Sequence, residues 1–560
     1  MSDTLKVFCT NLGEYLPIKG GETLCEIYDS VRDRIGMTPI CAHVNNTTED
    51  LMYPVFGPKM VTFLDSGTPS GKRVYERSLC MMLYKAVTEI LPGMSLRIEH
   101  SVAGGLYCRL FSGNSELHIP GKDEISSLLK KMRDLRDANL KFIRKERLTT
   151  DVKEKFRDQG LEDKVLLLDT IHELYTVFYR LDGLNDSYYG ALAPSTGLLT
   201  TFDLQPYKEG FLMLGRDPQN PECPCKPIAQ EKMYQAFTDY LRFNRVIKIS
   251  NVGELNMAVR NRQTADLINV AEAMHGKLLG KIADEIAHRH EQEGTSVVLI
   301  AGPSSSGKTT SAKRLGIQLM TNLLVPKSIS LDDYFVDRVN TPRDETGDYD
   351  YESLYALDLE RFNSDLNALF RGEEINLPTY SFELGQRIER ERPLKLEKND
   401  ILLIEGIHGL NPELTSGIPA GRLFKVYVSA LTTLSIDDHN WIPTTDNRLL
   451  RRIVRDHKYR HISALDTIRR WPSVRRGEEK WIFPYQENAD AMFNSSLIFE
   501  LGVMRDYAVP LLRNVPHDAP EYSEAYRLLR FLSYFEPIPS NQIPATSLLR
   551  EFLGGSSFRY

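Results

Sequence analysis

One motif constrains the fold of this chain more than any other sequence feature. Residues 302–309 read Gly-Pro-Ser-Ser-Ser-Gly-Lys-Thr, which fits the pattern G-x-x-x-x-G-K-[ST]. The motif follows a predicted strand, Ser296 to Ala301, and precedes a predicted helix, Thr309 to Leu323. In that setting the backbone N–H groups of the loop and the positive end of the helix dipole form a cradle for phosphate. The motif therefore predicts a phosphate-binding loop in an α/β sheet.

The motif also assigns roles within the loop. Lys308 is expected to reach the β and γ phosphates of a nucleoside triphosphate, and the Thr309 hydroxyl is expected to bind Mg²⁺. The alternative interpretation is a glycine- and serine-rich turn with a surface lysine, which does not account for the flanking strand and helix. The residues predicted to bind ATP are Gly302, Ser304, Ser305, Ser306, Gly307, Lys308, Thr309 and Thr310.

Two further predicted strands end in carboxylates. Asp400 to Ile404 is followed by Glu405, and Lys327 to Leu331 is followed by Asp332 and Asp333. Ligands bind at the carboxyl edge of a doubly wound parallel sheet, so these acids are expected beside the phosphate loop. Glu405 is the predicted Mg²⁺ ligand, with a structural carboxylate as the alternative. An aspartate here could accept a proton from a substrate hydroxyl, as in a kinase, but sequence spacing does not choose between the two.

Four arginines follow at helical spacing. They are Arg448, Arg451, Arg452 and Arg455. Positions i, i+3, i+4 and i+7 share one face of a helix. Because a guanidinium stays charged and binds phosphate oxygens in pairs, this face predicts a clamp or lid on the nucleotide, with Arg455 among the ATP-binding residues. Ion pairs with neighbouring aspartates on a solvated helix are the alternative.

Length and composition set limits on the rest. A chain of 560 residues predicts three or four domains. A net charge of -7 argues against a general polyanion binder. No signal-peptide pattern or membrane-spanning apolar run is present, and the seven cysteines all lie in the first 225 residues, which argues against a disulfide framework. We therefore expect a soluble, cytoplasmic protein without a membrane segment.

The first 65 residues show a strand, a glycine turn, a second strand, an amphipathic helix and short strands. This order resembles the ubiquitin-like TGS domain of threonyl-tRNA synthetases and some GTPases, which implies a β-grasp fold for residues 1–65. A different small β-grasp module is the alternative.

Residues 66–240 alternate predicted strands with helix-like stretches such as Lys122 to Glu146 and Ile171 to Arg180. They resemble the second, editing domain of threonyl-tRNA synthetase, which implies an α+β domain. Where that family carries His-x-x-x-His, this chain has Arg77-Ser-Leu-Cys-Met81, so the family's metal chemistry is not expected here. A scaffold, a partner-binding surface or an RNA-contacting remnant is expected instead.

Residues 241–295 are predicted as a helical connector, and residues 296–560 as the last domain. The last domain resembles the phosphoribulokinase/uridine kinase family of P-loop kinases, which implies a doubly wound parallel sheet. The motifs that carry the resemblance are Gly302 to Thr310, Ser330 to Phe335, Tyr349 to Glu352, Leu377 to Phe382, Ile404 to Ile407 and Arg448 to Asp456. The three-part order also resembles long bacterial proteins described as uridine or nucleoside kinases.

The resemblance implies roles for particular residues. Asp332 would be the catalytic base, Asp350 would hold ribose hydroxyls, and Tyr380 would line the base pocket. The catalytic residues so predicted are Asp332, Lys308, Arg448 and Arg451. The substrate-binding residues so predicted are Asp350, Tyr380, Phe382, Arg387 and Arg448, and the metal ligands are Thr309 and Glu405.

The chain departs from this family at one position. Uridine kinases usually place a histidine shortly after the Tyr-x-Phe motif to read the pyrimidine, and the aligned residue here is Gly385. A glycine side chain makes no hydrogen bond. Gln386 or Arg387 could replace the histidine, and another nucleoside or a phosphorylated sugar stays open as the substrate.

Two functions follow as hypotheses. The first is an ATP- and Mg²⁺-dependent kinase that phosphorylates a hydroxyl of a small substrate, with the 5'-hydroxyl of a nucleoside favoured. The second is an RNA-associated regulatory protein whose N-terminal regions contact tRNA or the ribosome and whose phosphate loop is a nucleotide-dependent switch. We expect a homo-oligomer in either case.

Overall fold

A computed structural model of the chain describes residues 5–113, 115–345, 347–388 and 390–559. The polypeptide forms an N-terminal mixed sheet, a second α/β region, a set of helices and a C-terminal parallel sheet. Among the described helices, none is long and apolar enough to cross a bilayer.

The N-terminal region is a five-stranded mixed sheet with a helix packed on it. Its elements are β1 Leu5–Cys9, β2 Glu14–Ile18, β3 Glu22–Thr23, α1 Leu24–Asp29, α2 Arg32–Ile35, β4 Cys41–Val44, β5 Thr47–Glu49, β6 Pro54–Val55 and β7 Met60–Leu64. The strand order is β2-β1-β7-β4-β5, and β1 and β7 run parallel. A capping box between Thr23 and Glu26 begins α1, whose Leu24 and Ile27 enter the core beside Val7. The assignment of this region as a TGS-like β-grasp domain stays a prediction.

The second region is built around the long helix α3. Its elements are α3 Pro69–Ile90, β8 Ser95–Val102, β9 Gly105–Phe111, β10 Leu117–His118, α4 Lys122–Asp137, β11 Ile143–Leu148, α5 Thr149–Asp158, α6 Glu162–Thr170, β12 Tyr175–Leu181, β13 Leu184–Asp186, β14 Asp203–Tyr207 and β15 Gly210–Leu214. One antiparallel sheet has the order β10-β9-β15-β14 with β8 added against β9, and a second has the order β11-β12-β13.

Two predicted helices in this region are wrong in part. The stretch predicted as a helix at Ile171 to Arg180 contains strand β12, which pairs antiparallel with β11. The segment from Tyr175 to Tyr179 is rich in aromatic and β-branched side chains, which favour a strand once a partner is available. The helix predicted over Lys122 to Glu146 ends at Asp137, and its last predicted residues belong to β11.

Three helices link this region to the C-terminal sheet. They are α7 Glu231–Val246, α8 Val252–Arg260 and α9 Thr264–Glu293. The predicted boundary at residue 240 falls inside α7. The apolar side of α9, including Leu279, Ile282 and Ile286, packs into the same core as strand residues Val298 and Ile300. The domain limits themselves stay predictions.

The C-terminal region contains a five-stranded, all-parallel sheet in the order β17-β22-β16-β23-β26. Its elements are β16 Val297–Ala301, α10 Lys308–Thr321, β17 Val325–Ser330, α11 Leu359–Phe370, β18 Ile375–Asn376, β19 Thr379–Ser381, β20 Gln386–Ile388, β21 Pro393–Leu394, β22 Asp400–Glu405, β23 Leu423–Ser429, β24 Ser435–Asp437, β25 Asn440–Trp441, α12 Thr444–Arg460, α13 Ala464–Trp481, β26 Ala491–Asn494, α14 Glu500–Arg513, α15 Tyr522–Ser533 and α16 Arg550–Leu553.

Both faces of this sheet are covered, as the predicted parallel fold requires. Along β16, Val298 and Ile300 enter the core formed with α9 and α10, whereas Val297 and Leu299 enter a second core with Phe362 of α11. Strands buried on both faces read as continuous apolar runs, which is why the sequence revealed β16 and β22. Their carboxyl ends meet at one edge of the sheet, where the phosphate loop and Glu405 lie.

Candidate active site

The phosphate loop connects β16 to α10 and has the backbone that such a cradle needs. A side chain at Gly302 would place its Cβ 1.9 Å from the carbonyl oxygen of Val428, so only glycine fits there. Gly307 has φ +82° at the N-cap of α10, a left-handed conformation that favours glycine. The Oγ atoms of Ser305 and Ser306 are buried and have no hydrogen-bond partner within the described residues. Buried donors without an acceptor fit a loop that binds an anionic group.

Lys308 is the cation of this cradle. Its Nζ donates to the carbonyl oxygen of Pro303 at 3.2 Å, and it makes no ion pair among the described residues. Burial lowers the pKa of Lys308, while the negative charges of Glu405 and Asp332 oppose this effect. A buried ammonium group held only by a carbonyl is electrostatically incomplete, and phosphate oxygens would complete it.

Glu405 ends β22 beside the first turn of α10. Its Oε1 accepts hydrogen bonds from the hydroxyls of Thr309 at 3.2 Å and Ser330 at 3.3 Å. Burial and the nearby charge of Asp332 raise the pKa of Glu405 to about 7, although Lys308 opposes the shift. A bound cation would favour the ionised form of this carboxylate.

Thr309 and Glu405 supply oxygen ligands of the type that Mg²⁺ prefers. No group of three or more His, Cys, Asp or Glu side chains in the described ranges could hold a metal ion. Mg²⁺ commonly keeps several waters and binds through one or two carboxylates together with substrate phosphates. The pair therefore fits a Mg²⁺ ion that arrives with a nucleotide.

The structure separates the two adjacent aspartates that sequence spacing could not rank. Asp333 Oδ2 forms an ion pair with Arg392 at 2.8 Å, and its Oδ1 accepts from the backbone N–H of Tyr380 at 3.4 Å. Asp332 makes no such pair within the described chain and interacts through charge with Lys308. Desolvation by the surrounding protein raises the pKa of Asp332, and the positive charge of Lys308 opposes that shift. Asp332 is therefore the carboxylate that is available to a ligand facing the phosphate loop.

The arginines of α12 lie behind the loop. Arg448 Nε donates to the carbonyl of Ser304 at 3.0 Å, Arg451 Nη1 donates to that of Ser305 at 3.4 Å, and Arg452 Nη1 donates to the Ser304 hydroxyl at 2.7 Å. These contacts fix the outer side of the loop.

Arg448 and Arg451 are also fully buried, in ion pairs with Glu478 and Glu500. Their predicted role as ligands of the transferred phosphate stays a prediction that this geometry does not favour. Arg455 forms an ion pair with Asp456 at 2.8 Å, as the alternative interpretation of this helix expects. The positive charges of Arg460 and Arg455 also oppose the raised pKa of Asp332. The role of Arg455 in ATP binding stays a prediction.

Two of the predicted substrate residues, Tyr380 and Phe382, form an aromatic cluster with Phe335, which is close to Asp332 in the sequence. The ring centroid of Tyr380 lies 5.6 Å from that of Phe335 and 5.1 Å from that of Phe382. Tyr380 Oη is buried without a hydrogen-bond partner in the described chain, whereas Phe382 is about half exposed. A buried phenol beside an exposed ring fits a wall that meets a small organic substrate.

Asp350 and Arg387 have structural contacts. Asp350 Oδ1 accepts from the backbone N–H of Glu352 at 3.2 Å, and burial raises the Asp350 pKa. Arg387 forms an ion pair with Asp358 at 2.8 Å and donates to the carbonyl of Phe335 at 3.2 Å. Their assignment to substrate stays a prediction.

Arg338 is a functional candidate that the sequence analysis missed. Gly385 has φ +68°, and a Cβ there would lie 2.6 Å from the Arg338 guanidinium. Arg338 Nη2 donates to the carbonyl of Phe382 at 2.6 Å, while its buried Nε has no partner in the described ranges. The guanidinium thus fills the space of the missing side chain at residue 385. No local motif signals a contact between residues so far apart in the sequence.

Glu551 is a second residue that the sequence did not reveal. Its Oε2 accepts hydrogen bonds from the backbone N–H of Thr310 at 3.1 Å and from the Thr310 hydroxyl at 2.5 Å. The same C-terminal segment packs Leu548 against Gly307. A carboxylate therefore occupies the first turn of α10, where the helix dipole favours an anion.

In the second region, an arginine and a methionine stand at residues 77 and 81, where the resembled editing domain carries its two metal-binding histidines. Arg77 is buried on α3, donates to the carbonyl of Ala191 at 3.1 Å and packs against Gly190. Met81 is fully buried among apolar side chains.

A parallel sheet with this loop, and with carboxylates on the neighbouring strands, defines the C-terminal region as a P-loop kinase fold. Residues 297–498 match the sequence profile of the Phosphoribulokinase / Uridine kinase family. The C-terminal region is therefore similar to that family over residues 297–498.

Individual relatives each match about a third of the chain. A threonine–tRNA ligase of Rubrobacter xylanophilus is 26% identical over 196 residues, which cover 34% of this chain and 29% of the ligase. A uridine kinase of Halobacterium salinarum is 27% identical over 193 residues, which cover 34% of this chain and 76% of that kinase. The chain thus spans less than a third of the synthetase relative.

Among solved structures, one described as a possible uridine kinase from Bacillus stearothermophilus is 21% identical. Its alignment covers 36% of this chain and 89% of that structure, with a TM-score of 0.25.

Proposed function

We propose that this protein is an ATP- and Mg²⁺-dependent kinase that transfers the γ-phosphoryl group to a hydroxyl of a small substrate, with a nucleoside 5'-hydroxyl as the favoured acceptor. The observation that carries the proposal is that the Asp332 carboxylate makes no ion pair in the described chain and interacts through charge with Lys308, whereas the adjacent Asp333 is paired with Arg392. A carboxylate at this position can orient an acceptor hydroxyl and take its proton, as the catalytic aspartate of a kinase does.

The chemistry follows from the positions of the charges. Lys308 and the N–H groups of the loop would hold the phosphate oxygens, and Thr309 with Glu405 would hold Mg²⁺, which neutralises charge on those oxygens. Asp332 would orient the acceptor hydroxyl and take its proton as the oxygen attacks phosphorus. General-base assistance of this kind contributes roughly 10²- to 10⁴-fold to a rate.

The acceptor site lies on the Asp332 side of the crevice. Tyr380 and Phe382 offer an aromatic wall, which suits a nucleoside base or the apolar face of a sugar. Arg338 would replace the histidine that is absent at residue 385, because its guanidinium occupies that space and its Nε has no partner within the described chain. Guanidinium donors favour an acceptor carbonyl or an anionic group on the substrate.

The test is a screen of the full-length protein with ATP and MgCl₂ against a panel of nucleosides and sugars, with and without a phosphate group. ADP release and the mass of the phosphorylated product are measured together, and Lys308→Ala is the inactive control. The proposal expects acceptor-dependent ADP release with an acceptor heavier by one phosphoryl group. ADP release that is independent of every acceptor and yields only inorganic phosphate would contradict it.

The expectations about tRNA or ribosome contact, self-association and cellular location stay predictions. The resemblance of the N-terminal regions bears on tRNA or ribosome contact alone.

A further inference from the structure

A polar cavity of about 440 Å³ lies where three parts of the chain meet. The N-terminal sheet, the second region and the C-terminal region all contribute to its wall. Residues that matter for its chemistry are Glu49, Arg144, Glu173, Asp437, Asn440 and Arg530. None of its lining residues belongs to the phosphate loop, so the cavity is separate from the candidate active site.

The cations of this cavity are poorly neutralised by contact. Arg530, on α15, makes no ion pair or side-chain hydrogen bond in the described chain. Its pKa is raised by Tyr534 and Tyr526, and to a smaller extent by Glu173 and Glu49, although burial opposes the shift. Arg144 reaches Asp50 only at 3.5 Å and Glu146 only at 3.6 Å. Two guanidinium groups therefore face the cavity with donors to spare, which suits a carboxylate.

The cavity also offers acceptors without donors. Asn440 is 2% exposed, and its Oδ1 has no hydrogen-bond partner within the described ranges. The Nδ2 of the same residue donates to Asp437 and to the carbonyl of Ser187, so the amide orientation is fixed. The Glu49 carboxyl makes no hydrogen bond there either, and burial raises its pKa to about 7. These groups suit a ligand that brings N–H donors and positive charge.

One side of the cavity is rigid. Lys164 lies between Asp186 at 2.9 Å and Asp437 at 2.8 Å, and His439 Nδ1 bonds the other oxygen of Asp186 at 2.8 Å. These groups are almost fully buried and already paired, so they hold the wall in place without needing a ligand.

We propose that this cavity binds a small zwitterion, with the ligand carboxylate on Arg530 and Arg144 and the ligand ammonium group on Asn440 Oδ1 and Glu49. A polyanion would meet the carboxylates of Glu49, Asp50, Glu146, Glu173 and Asp437. A polycation would meet the two incompletely neutralised guanidinium groups. Only a molecule that carries a positive and a negative charge can pair with both the carboxylates and the guanidinium groups of the cavity.

The cavity is connected to the kinase site through one continuous element. Asp437 and Asn440 belong to the β24–β25 hairpin, and α12 begins a few residues later at Thr444. The same α12 holds the phosphate loop through Arg448, Arg451 and Arg452. Because the hairpin is rigid, a ligand that displaces it would also displace the start of α12 and so bias the loop, which makes the cavity a regulatory site. This regulatory part rests on the proposed kinase function, whereas binding to the cavity does not.

The binding test uses isothermal titration of the full-length protein with each of the twenty protein L-amino acids as zwitterionic probes. Spermidine is the purely cationic probe, and inorganic phosphate is the purely anionic probe. We expect saturable binding of at least one amino acid and at least tenfold weaker binding to Arg530→Gln and to Glu49→Gln. The exposed Arg513→Gln, at the end of α14, is the matched control and should bind like the wild type.

Binding of no amino acid, or unchanged affinity in both cavity variants, would overturn the site. Saturation by spermidine or phosphate alone would overturn the zwitterion assignment. Because Glu49 makes no hydrogen bond, its glutamine variant is expected to fold normally, which thermal unfolding verifies. ADP release measured with and without the bound amino acid then tests the regulatory part. An unchanged rate in an active enzyme would overturn regulation alone, and no turnover would instead implicate the proposed kinase function.

Discussion

Two lysines in this protein have opposite electrostatic environments. Lys308 in the phosphate loop donates to a carbonyl and makes no ion pair in the described part of the chain, and burial lowers its pKa. Lys164 at the junction of the regions lies between two carboxylates, whose charges raise its pKa even though burial works in the opposite direction. Lys164 is almost fully buried and Lys308 is partly buried, and the two also differ in the completeness of their pairing.

The pKa values of one carboxylate at each site, Glu405 and Asp186, differ for the same reason. Burial raises the pKa of Glu405 to about 7 in the crevice, whereas Lys164 and His439 hold the pKa of Asp186 well below its ordinary value despite its burial. A buried charge that lacks a partner costs stability, and a ligand of opposite charge can offset that cost. Incomplete pairing therefore indicates a binding site, and complete pairing indicates a structural network.

We expect the largest effect from removing Lys308, the incompletely paired cation of the phosphate loop. Lys308→Ala should lower kcat/KM for ATP-dependent transfer by roughly 10²- to 10³-fold or more, because a fixed donor to the phosphate oxygens is lost. Its melting temperature should not fall, because no ion pair is broken. ADP release and thermal unfolding measure the two effects, and Lys281→Ala on the exposed side of α9 is the control. A variant that unfolds early but turns over normally would reverse the assignment.

In the fully paired network around Lys164, removing the cation should lower stability instead. Lys164→Met leaves Asp186 and Asp437 buried without their cation, and breaking a buried pair of this kind costs about 3–5 kcal/mol. We expect a clear fall in the melting temperature of the full-length protein. The half-exposed pair of Lys153 and Asp169, 2.7 Å apart, provides the control Lys153→Met, which should change stability by about 1 kcal/mol or less. Equal effects of the two substitutions would contradict the interpretation.

The raised pKa of Glu405 predicts a pH-dependent stability. Its folded-state pKa of about 7 exceeds the ordinary value of 4.5, so the stability that it contributes is full below pH 4.5 and is lost as the pH rises through 7. Glu405→Gln cannot ionise and should keep that stability. Thermal unfolding should therefore give equal melting temperatures at pH 4.5 and a variant that melts a few degrees higher at pH 8. A variant that is less stable at pH 8 would show that Glu405 is paired after all.

A smaller effect is expected at the first turn of α10. Glu551 accepts hydrogen bonds from Thr310 where the helix end favours an anion, so its charge should compete with nucleotide phosphate. Glu551→Gln keeps an acceptor oxygen but loses the charge, and we expect it to bind ATP about tenfold more tightly, which corresponds to about 1.4 kcal/mol. Titration calorimetry measures this, with exposed Glu291→Gln as the control. Unchanged or weaker ATP binding would exclude competition.

The sequence predicted the phosphate loop, the parallel sheet and the carboxylates at its edge because each depends on local patterns. Glycines at fixed spacing and continuous apolar runs identify such features without knowledge of tertiary contacts. It could not choose between Asp332 and Asp333, because that choice depends on Arg392, which comes from a distant segment.

Long-range contacts also explain what the sequence did not anticipate. Helical spacing placed the α12 arginines on one face, but nothing in that spacing says whether the face meets solvent, a ligand or the back of the loop. Glu551 lies 241 residues from its partner Thr310. The strand at β12 depends on pairing with β11, which overrides a helix-like pattern in the isolated segment.

The most direct measurement compares Asp332→Asn with Asp333→Asn in single-turnover transfer of the γ-phosphoryl group to the acceptor identified by the screen. We predict that Asp332→Asn slows transfer by roughly 10²- to 10⁴-fold while ATP affinity stays within a few fold of the wild type. Asp333→Asn should transfer much faster than Asp332→Asn, because Asp333 contacts Arg392 and the backbone N–H of Tyr380 rather than the acceptor. Transfer at the wild-type rate by Asp332→Asn would contradict the account.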